Sequence, residues 1–330
     1  MQKHSGVYSD YKKRVDDILA SAINKKEPVT LYEPLKYILE GGGKRIRPMM
    51  LIFACEAAGG KAEDALNASV ALELLHNFTL VHDDIMDNAD TRRGVETIHK
   101  KWNNNVAILC GDHLIGMAYM YLLQTKSGKL DEIVKAFTEG IVEVCEGQSY
   151  DKEFEIRKNV TLDEYSMMIG KKTAKMLETS AVVGALIGNG DPEMVDNIRN
   201  YAVNIGLAFQ ILDDMLDITA IESEFGKKTG GDLVEGKKTY LLLKAREVVS
   251  DKDDKEKIEN IIINNGLANA TDEKINEIKN IYEKYSVIES AQKEIEKYTM
   301  QADKYLNALP ESEAKERLKW FSKMLMGRSF

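Results

Sequence analysis

Proline is scarce in this chain, with five in 330 residues, while Ala, Leu, Ile, Glu and Lys are plentiful. Little interrupts helix formation, and the composition favours it. Cysteine is scarcer still: Cys55, Cys110 and Cys145. Their number is odd and no two form a CxxC pair, so buried thiols in a reducing compartment are expected. No apolar run reaches the ~18–20 residues of a membrane span. The N-terminal stretch MQKHSGVYSDYKKR lacks the apolar core of a signal peptide. A soluble cytoplasmic protein is expected. Basic charge is also in deficit, at a formal net charge of −9, and no basic stripe marks a nucleic-acid partner. An acidic chain that binds anions needs local cations or metal ions to do so.

No stretch alternates over strand length, and no short repeat appears. Helical patterns dominate instead. Residues 8–24 carry Val15, Ile18, Leu19 and Ala22 at helical spacing. Pro28 ends that helix, and Pro34 fits the first turn of the next, LKYILE, which stops at Gly41-Gly42-Gly43. Another helix resumes near Pro48. Residues 63–88 hold neither Gly nor Pro and are apolar on nearly every face up to His82, which predicts a central buried helix. Residues 105–124, 130–156 and 161–187 predict three more. Asp191-Pro192-Glu193 reads as the cap and first turn of a helix running to about Thr219. Residues 222–237 read as a Gly- and Lys-rich loop, with shorter charged helices beyond it. Since 44% of the chain is hydrophobic, it can bury a large core. The expected fold is all-α, a single large helical bundle over residues 1–330 with a central cavity.

Two stretches carry the chemistry: LVHDDIMDNADTRR, with Asp83, Asp84 and Asp87, and FQILDDMLD, with Asp213, Asp214 and Asp217. Both read Asp-Asp-x-x-Asp at the end of an apolar helix. Residues i and i+4 share a helix face, so the first and last Asp of each motif point together and the second is offset. Clustered carboxylates repel, and a helix C-terminus disfavours anions. Two such arrangements are unfavourable unless a hard divalent cation binds, and Mg²⁺ bridges carboxylates to phosphates. One motif alone reads equally well as a solvated acidic helix end; two in matching contexts point to the mouth of a buried cavity.

Cations complete the pattern. Gly43-Lys44-Arg45-Ile46-Arg47 follows a glycine turn that lets backbone and side chains approach a phosphate. Arg supplies a bidentate fork and Lys a point charge. Arg92 and Arg93 lie just beyond the first acidic motif. Lys171, Lys172 and Thr173 fall inside an apolar helix, where lysine needs an anionic partner. Lys227, Lys228, Lys237 and Lys238 flank the predicted loop. Taken singly, Lys171, Lys228 and Lys238 read as ordinary surface charges. His76 lies two turns before Asp83 on roughly the same face, which suits a hydrogen bond to diphosphate. Carboxylates for metals and separate cations for phosphates describe a site for two diphosphates. No GxSxG, HExxH, Walker A or GxGxxG motif occurs.

With these residues in view, the chain resembles the trans-isoprenyl diphosphate synthases of the polyprenyl synthetase family. GGGKRIRP, LVHDDIMDNADTRRG, GKKTAKML, FQILDDMLD and FGKKTGGDLVEGKKT carry the resemblance, in the family's order. It implies a homodimeric transferase that joins isopentenyl diphosphate to an allylic diphosphate by ionisation, condensation and elimination. It implies three Mg²⁺ per active site, with Mn²⁺ able to substitute. Asp83, Asp87 and Asp213 would contact metal, with Asp84, Asp214 and Asp217 in support. Lys44, Arg47, His76 and Arg93 would hold isopentenyl diphosphate. Arg92, Lys172 and Lys237, with Lys227 nearby, would hold the allylic diphosphate. Thr173 and Gln210 would face the allylic cation, and Gln148 would line the cavity. The loop reads GKK where many members have GKP, and GKKTYL lacks a following proline, which leaves open how the loop closes. A class I terpene cyclase needs no second diphosphate site, a non-catalytic subunit tends to lose acidic residues, and a calcium-binding protein would carry acidic loops with Gly; each fits these motifs less well.

Phe78 and Thr79, five and four residues before Asp83, occupy positions whose bulk sets the cavity floor in that family. An aromatic followed by a small residue resembles the geranylgeranyl-producing type, C20, with C15 the alternative. Leu74 and Leu75 lie a turn deeper. Replacing Phe78 by Ala should lengthen the main product, as resolved by chromatography; an unchanged product would remove Phe78 as the floor.

Overall fold

A computed structural model describes residues 2–219, 229–267 and 270–327, and among them the fold is all-α. The helices are α1 (Gln2–Ala22), α2 (Val29–Glu40), α3 (Ile46–Ala57), α4 (Ala62–Met86), α5 (Ile98–Lys101), α6 (Asn104–Leu122), α7 (Leu130–Ile156), α8 (Leu162–Ile169), α9 (Lys175–Ile187) and α10 (Pro192–Thr219). They continue as α11 (Gly231–Glu235), α12 (Tyr240–Val248), α13 (Lys252–Ile263), α14 (Asp272–Lys284), α15 (Val287–Asn307) and α16 (Glu313–Leu325). No helix among the described residues is long and apolar enough to cross a membrane.

The chain forms two compact units. The first comprises Met1–Glu139, Met176–Arg199 and Leu306–Phe321; the second comprises Gly140–Lys175, Asn200–Tyr305 and Ser322–Phe330. In the first unit α4 packs against α1, α3, α5 and α6. Buried residues therefore surround it, from Ala65, Ser69 and Leu72 to Phe78, Val81 and Asp84. Glu63 and Asp64 favour its first turn through the helix dipole. Glycine allows close approach nearby: a Cβ on Gly184 of α9 would lie 2.1 Å from the Leu51 carbonyl oxygen of α3. In the second unit α12 packs against α8, α13 and α14.

Five local features differ from the sequence reading. Helix α2 begins at Val29, so Pro34 lies inside it rather than in its first turn. The segment 161–187 is not one α-helix: a π turn, Gly170–Ala174, separates α8 from α9. That wider turn is accommodated by two glycines of the same unit. A Cβ on Gly147 would meet the Lys172 nitrogen at 2.3 Å, and one on Gly206 the Ala174 Cα at 2.5 Å. A two-stranded hairpin pairs Thr91–Arg92 with Val95–Glu96. It is shorter than any alternation a sequence displays, and Arg93 and Gly94 turn it with positive φ of 54° and 79°, the type I′ pattern. The predicted loop contains α11, one turn held between left-handed Gly230 and Gly236. Cys55 and Cys110 are buried, but Cys145 is exposed, because apolar neighbours in sequence do not fix which face a helical residue takes.

Gly184→Ala should destabilise the fold by about 1–3 kcal/mol, since α9 must back away from α3 to admit the methyl group. Denaturant titration with an unchanged m-value checks this; an unchanged midpoint would mean the helices can part freely.

Candidate active site

In the first unit, α4 delivers the first acidic motif at its C-terminus, with Asp87 as the C-cap. Asp84 is 2% exposed, whereas Asp83 and Asp87 are half-buried. The offset anticipated from helix geometry thus turns the second Asp inward. The hairpin brings Arg92 back onto it: Arg92 Nε donates to Asp84 Oδ1 at 2.7 Å. Burial raises the Asp84 carboxyl, and Arg92 opposes that rise.

Arg93 has a different partner, donating through Nη1 to the carbonyl of Gly42. This ties the hairpin to the glycine turn, where Gly42 and Arg45 both have positive φ, 67° and 54°. Arg45 is buried, with Nε 2.6 Å from Asp16 Oδ1 of α1 and Nη1 2.6 Å from Glu73 Oε1 of α4. Lys44 stays exposed. Arg47 donates from Nη1 to His76 Nε2 at 3.1 Å. Arginine has no acceptor, so this contact places the imidazole proton on Nδ1. Burial and the neighbouring Arg47 and Arg93 push His76 well below the usual histidine range, so it is neutral at pH 7. Burial lowers Arg47 to about 10, still a cation at that pH. Arg47 Nε and His76 Nδ1 are buried without a hydrogen-bond partner. Unsatisfied donors on two residues in contact, among arginines, are what anionic oxygens would complete. A separate cavity of about 800 Å³ between α1 and α2 reaches Gly42 and Arg45 but none of the acidic motif.

The second unit builds around Asp214 of α10, 5% exposed. Its Oδ2 accepts from Tyr165 OH at 2.6 Å and from the Tyr240 nitrogen at 3.1 Å, and its Oδ1 from Gln210 Nε2 at 2.9 Å. Gln210 Oε1 in turn accepts from Thr173 Oγ1, 2.8 Å away on the π turn. One relay therefore joins Thr173, Gln210 and Asp214. Asp213 is exposed and Asp217 half-buried. Asp217 Oδ2 accepts from the Asp232 nitrogen at 3.2 Å. Burial, then the charge of Asp232, raises both Asp214 and Asp217 above the usual carboxylate range. Lys237 lies 2.7 Å from Glu235 and 3.6 Å from Asp232, Lys172 pairs with Asp151, and Gln148 is buried on α7.

No group of three His, Cys, Asp or Glu side chains among the described residues forms a ready-made metal cage. The donor set still fits Mg²⁺, which takes one or two carboxylates and fills the rest of its octahedron with water and phosphate. Asp83, Asp87, Asp213 and Asp217, each more exposed than Asp84 and Asp214, offer such carboxylates.

Residues 28–285 match the family model described as polyprenyl synthetase. The chain belongs to the polyprenyl synthetase family. It is 34% identical over 99% of both chains to the short chain isoprenyl diphosphate synthase of Methanothermobacter thermautotrophicus. It is 39% identical to the geranylgeranyl diphosphate synthase of Sulfolobus acidocaldarius, over 93% of this chain and 92% of that one. The crystal structure of geranylgeranyl pyrophosphate synthetase from Pyrococcus horikoshii superposes with a TM-score of 0.90 at 34% identity, covering 99% of this chain and all of the other.

Within this synthetase fold, the first unit gathers Lys44, Arg47, His76, Phe78, Thr79, Asp83, Asp84, Asp87, Arg92 and Arg93, and the second Gln148, Lys172, Thr173, Gln210, Asp213, Asp214, Asp217 and Lys237. Lys227 and Lys228 lie outside the described residues. Lys171, read as an ordinary surface charge, makes an exposed pair with Glu146 at 2.7 Å. Lys238 is buried, donating to the carbonyls of Glu155 and Gly236, because the chain leaving α11 turns it inward. Sequence reasoning missed Glu73, Tyr165 and Asp232. Glu73 carried a signal, as the one charge inside VALELLHNF; Tyr165 and Asp232 carried none.

The raised Asp214 makes stability pH-dependent in a defined direction. Its folded form holds a proton to higher pH than the unfolded chain, whose value is about 4. Its contribution is therefore full below about pH 4 and is lost as pH rises through the raised value. Asn cannot ionise, so metal-free Asp214→Asn should gain in Tm relative to the parent on going from pH 4 to pH 8, on the order of 2–4 °C. A constant difference across that range would show that Asp214 does not titrate abnormally.

Proposed function

We propose that this protein is a Mg²⁺-dependent prenyltransferase that condenses isopentenyl diphosphate with an allylic diphosphate, its main product being geranylgeranyl diphosphate. Farnesyl diphosphate is the alternative product. The observation that carries the reading is the pair of unsatisfied donors, Arg47 Nε and His76 Nδ1, set among cations in the unit whose α4 also bears the first acidic motif. The names of the relatives, short chain isoprenyl and geranylgeranyl diphosphate synthases, support it.

In this reading residues 1–330 act as one synthase domain in the cytoplasm. Lys44, Arg47, His76 and Arg93 bind isopentenyl diphosphate. Arg92, Lys172, Lys237 and Lys227 bind the allylic diphosphate. Asp83, Asp87 and Asp213 would hold Mg²⁺, supported by Asp84, Asp214 and Asp217. The proposal takes three ions, with Mn²⁺ able to substitute for Mg²⁺. Such ions, when bound, would supply positive charge to the departing diphosphate. Arg92, Lys172 and Lys237 add preorganised positive charge to the same leaving group. Thr173 and Gln210 turn side-chain oxygens toward the allylic cation, and Gln148 lines the cavity that keeps water from it. The isopentenyl double bond attacks that cation, and a proton is then lost to the released diphosphate, so no protein nucleophile is required. A homodimer is part of the proposal. Ile108, Leu109 and Met120 of α6, with Leu123 at its C-cap, expose an apolar stretch that a second copy would cover.

Purified protein incubated with Mg²⁺, labelled isopentenyl diphosphate and each of the C5, C10 and C15 allylic primers should extend at least one of them. No extension with any primer would overturn the proposal. Arg47→Ala should raise KM for isopentenyl diphosphate about 10–100-fold, the loss of one charge-assisted contact, with little change in KM for the primer.

A further inference from the structure

His82 directly precedes the first acidic motif and follows Phe78 by four residues, so the two share a face of α4. Their rings meet edge to face, with centroids 4.7 Å apart and planes at 67°. Helix α6 fixes His82 from the other side. Its Nε2 lies 3.3 Å from the Ile108 carbonyl oxygen. A carbonyl only accepts, so Nε2 carries the hydrogen and donates it. The ring also lies directly over Gly111. A Cβ built there would stand 2.1 Å from His82 Nε2 and 2.4 Å from Cδ2. Among the residues of α6, Gly111 thus provides the space that the imidazole fills.

We infer that His82, seated on Gly111, is a positioning residue that sets product length by holding the Phe78 ring in place. The inference rests on the proposed reading of Phe78 as the floor of the prenyl cavity. Phe78 is 8% exposed, so its ring packs on most sides and a shift of one neighbour changes where it points. The Ile108 hydrogen bond orients the imidazole, and Gly111 lets it sit close enough for its edge to meet Phe78. A prenyl chain that reaches Phe78 then meets a braced ring instead of one free to swing aside. The substitution that matters for length is therefore one residue from Asp83, although the floor itself is a turn deeper.

The test compares product-length distributions from one allylic primer, Mg²⁺ and labelled isopentenyl diphosphate for the parent, Phe78→Ala, His82→Ala, His82→Asn and Gly111→Ala. His82→Ala should raise the fraction of products longer than the parent's main product several-fold. His82→Asn, which keeps a donor but no ring, should follow it. Gly111→Ala, which displaces the ring, should alter the distribution in the parent but not in the His82→Ala background. Phe78→Ala with His82→Ala should give no longer product than Phe78→Ala alone. Longer products from Phe78→Ala, with the parent distribution kept by all three His82 and Gly111 variants, would overturn the role of His82 and leave the floor intact. Unchanged products from Phe78→Ala would overturn the floor and this inference with it. Slower turnover of the His82 variants with an unchanged distribution would also overturn it, since a merely structural role alters rate and not length.

Discussion

Like charges held together in partly buried surroundings are the constraint on which both units depend. Carboxylates at the ends of α4 and α10 lie against the unfavourable end of the helix dipole, and arginines crowd the glycine turn. Neither arrangement is stable by proximity alone. Each unit answers with buried counter-groups. In the first, Glu73 and Asp16 neutralise Arg45, and Arg92 neutralises Asp84. In the second, Tyr165, Gln210 and the Tyr240 nitrogen donate to Asp214. Removing one partner of such a buried set leaves a charge without solvent or counter-ion, which is far more damaging than loss of a surface pair.

The two Asp-Asp-x-x-Asp motifs solve that problem in the same way. In each, the second Asp turns inward and is tied to fixed donors, while the flanking Asp residues stay more open. The helical repeat explains the division, because adjacent residues differ by about 100° around the axis. A carboxylate already satisfied by protein donors is a poor ligand but a good anchor. The anchor holds the last turn of its helix in register while its neighbours lie nearer the surface. Arg92 and Arg93 divide in a comparable way. The type I′ turn sends one to Asp84 and the other to the Gly42 carbonyl, although they are adjacent in sequence.

Most of the fold was legible because long apolar helices advertise themselves. The limits of α7 and the cap of α10 could be read from pattern and from Asp191, whose Oδ1 accepts from the Met194 nitrogen at 2.8 Å. What escaped is set by packing between segments far apart in sequence. The π turn at Gly170–Ala174 depends on Gly147 and Gly206, neither of them close in sequence. The hairpin is too short for any period to show. Lys238 looks like a surface lysine until its carbonyl acceptors are known. Within the site, the charged residues announced themselves as clusters in apolar sequence. Their supports did not, because a tyrosine such as Tyr165 in a helix reads as ordinary core until its hydroxyl is seen against Asp214.

The same separation between open carboxylates and their supports bears on how the proposed control of product length is stored in α4. This helix carries the first acidic motif at its end and Phe78 little more than a turn below. A rigid helix fixes the spacing of those backbone positions, so backbone geometry alone cannot tune length without moving the acidic motif. Side-chain placement can. The Phe78 ring is braced by His82, and His82 is placed by the missing side chain of Gly111. Altering either changes the position of a ring without displacing a carboxylate on the backbone. A fold that must keep its charged chemistry constant while its product varies gains from storing the variable part in such a packed contact between two helices. The electrostatic supports have no comparable freedom, since each buried charge in them must stay paired for the fold to hold.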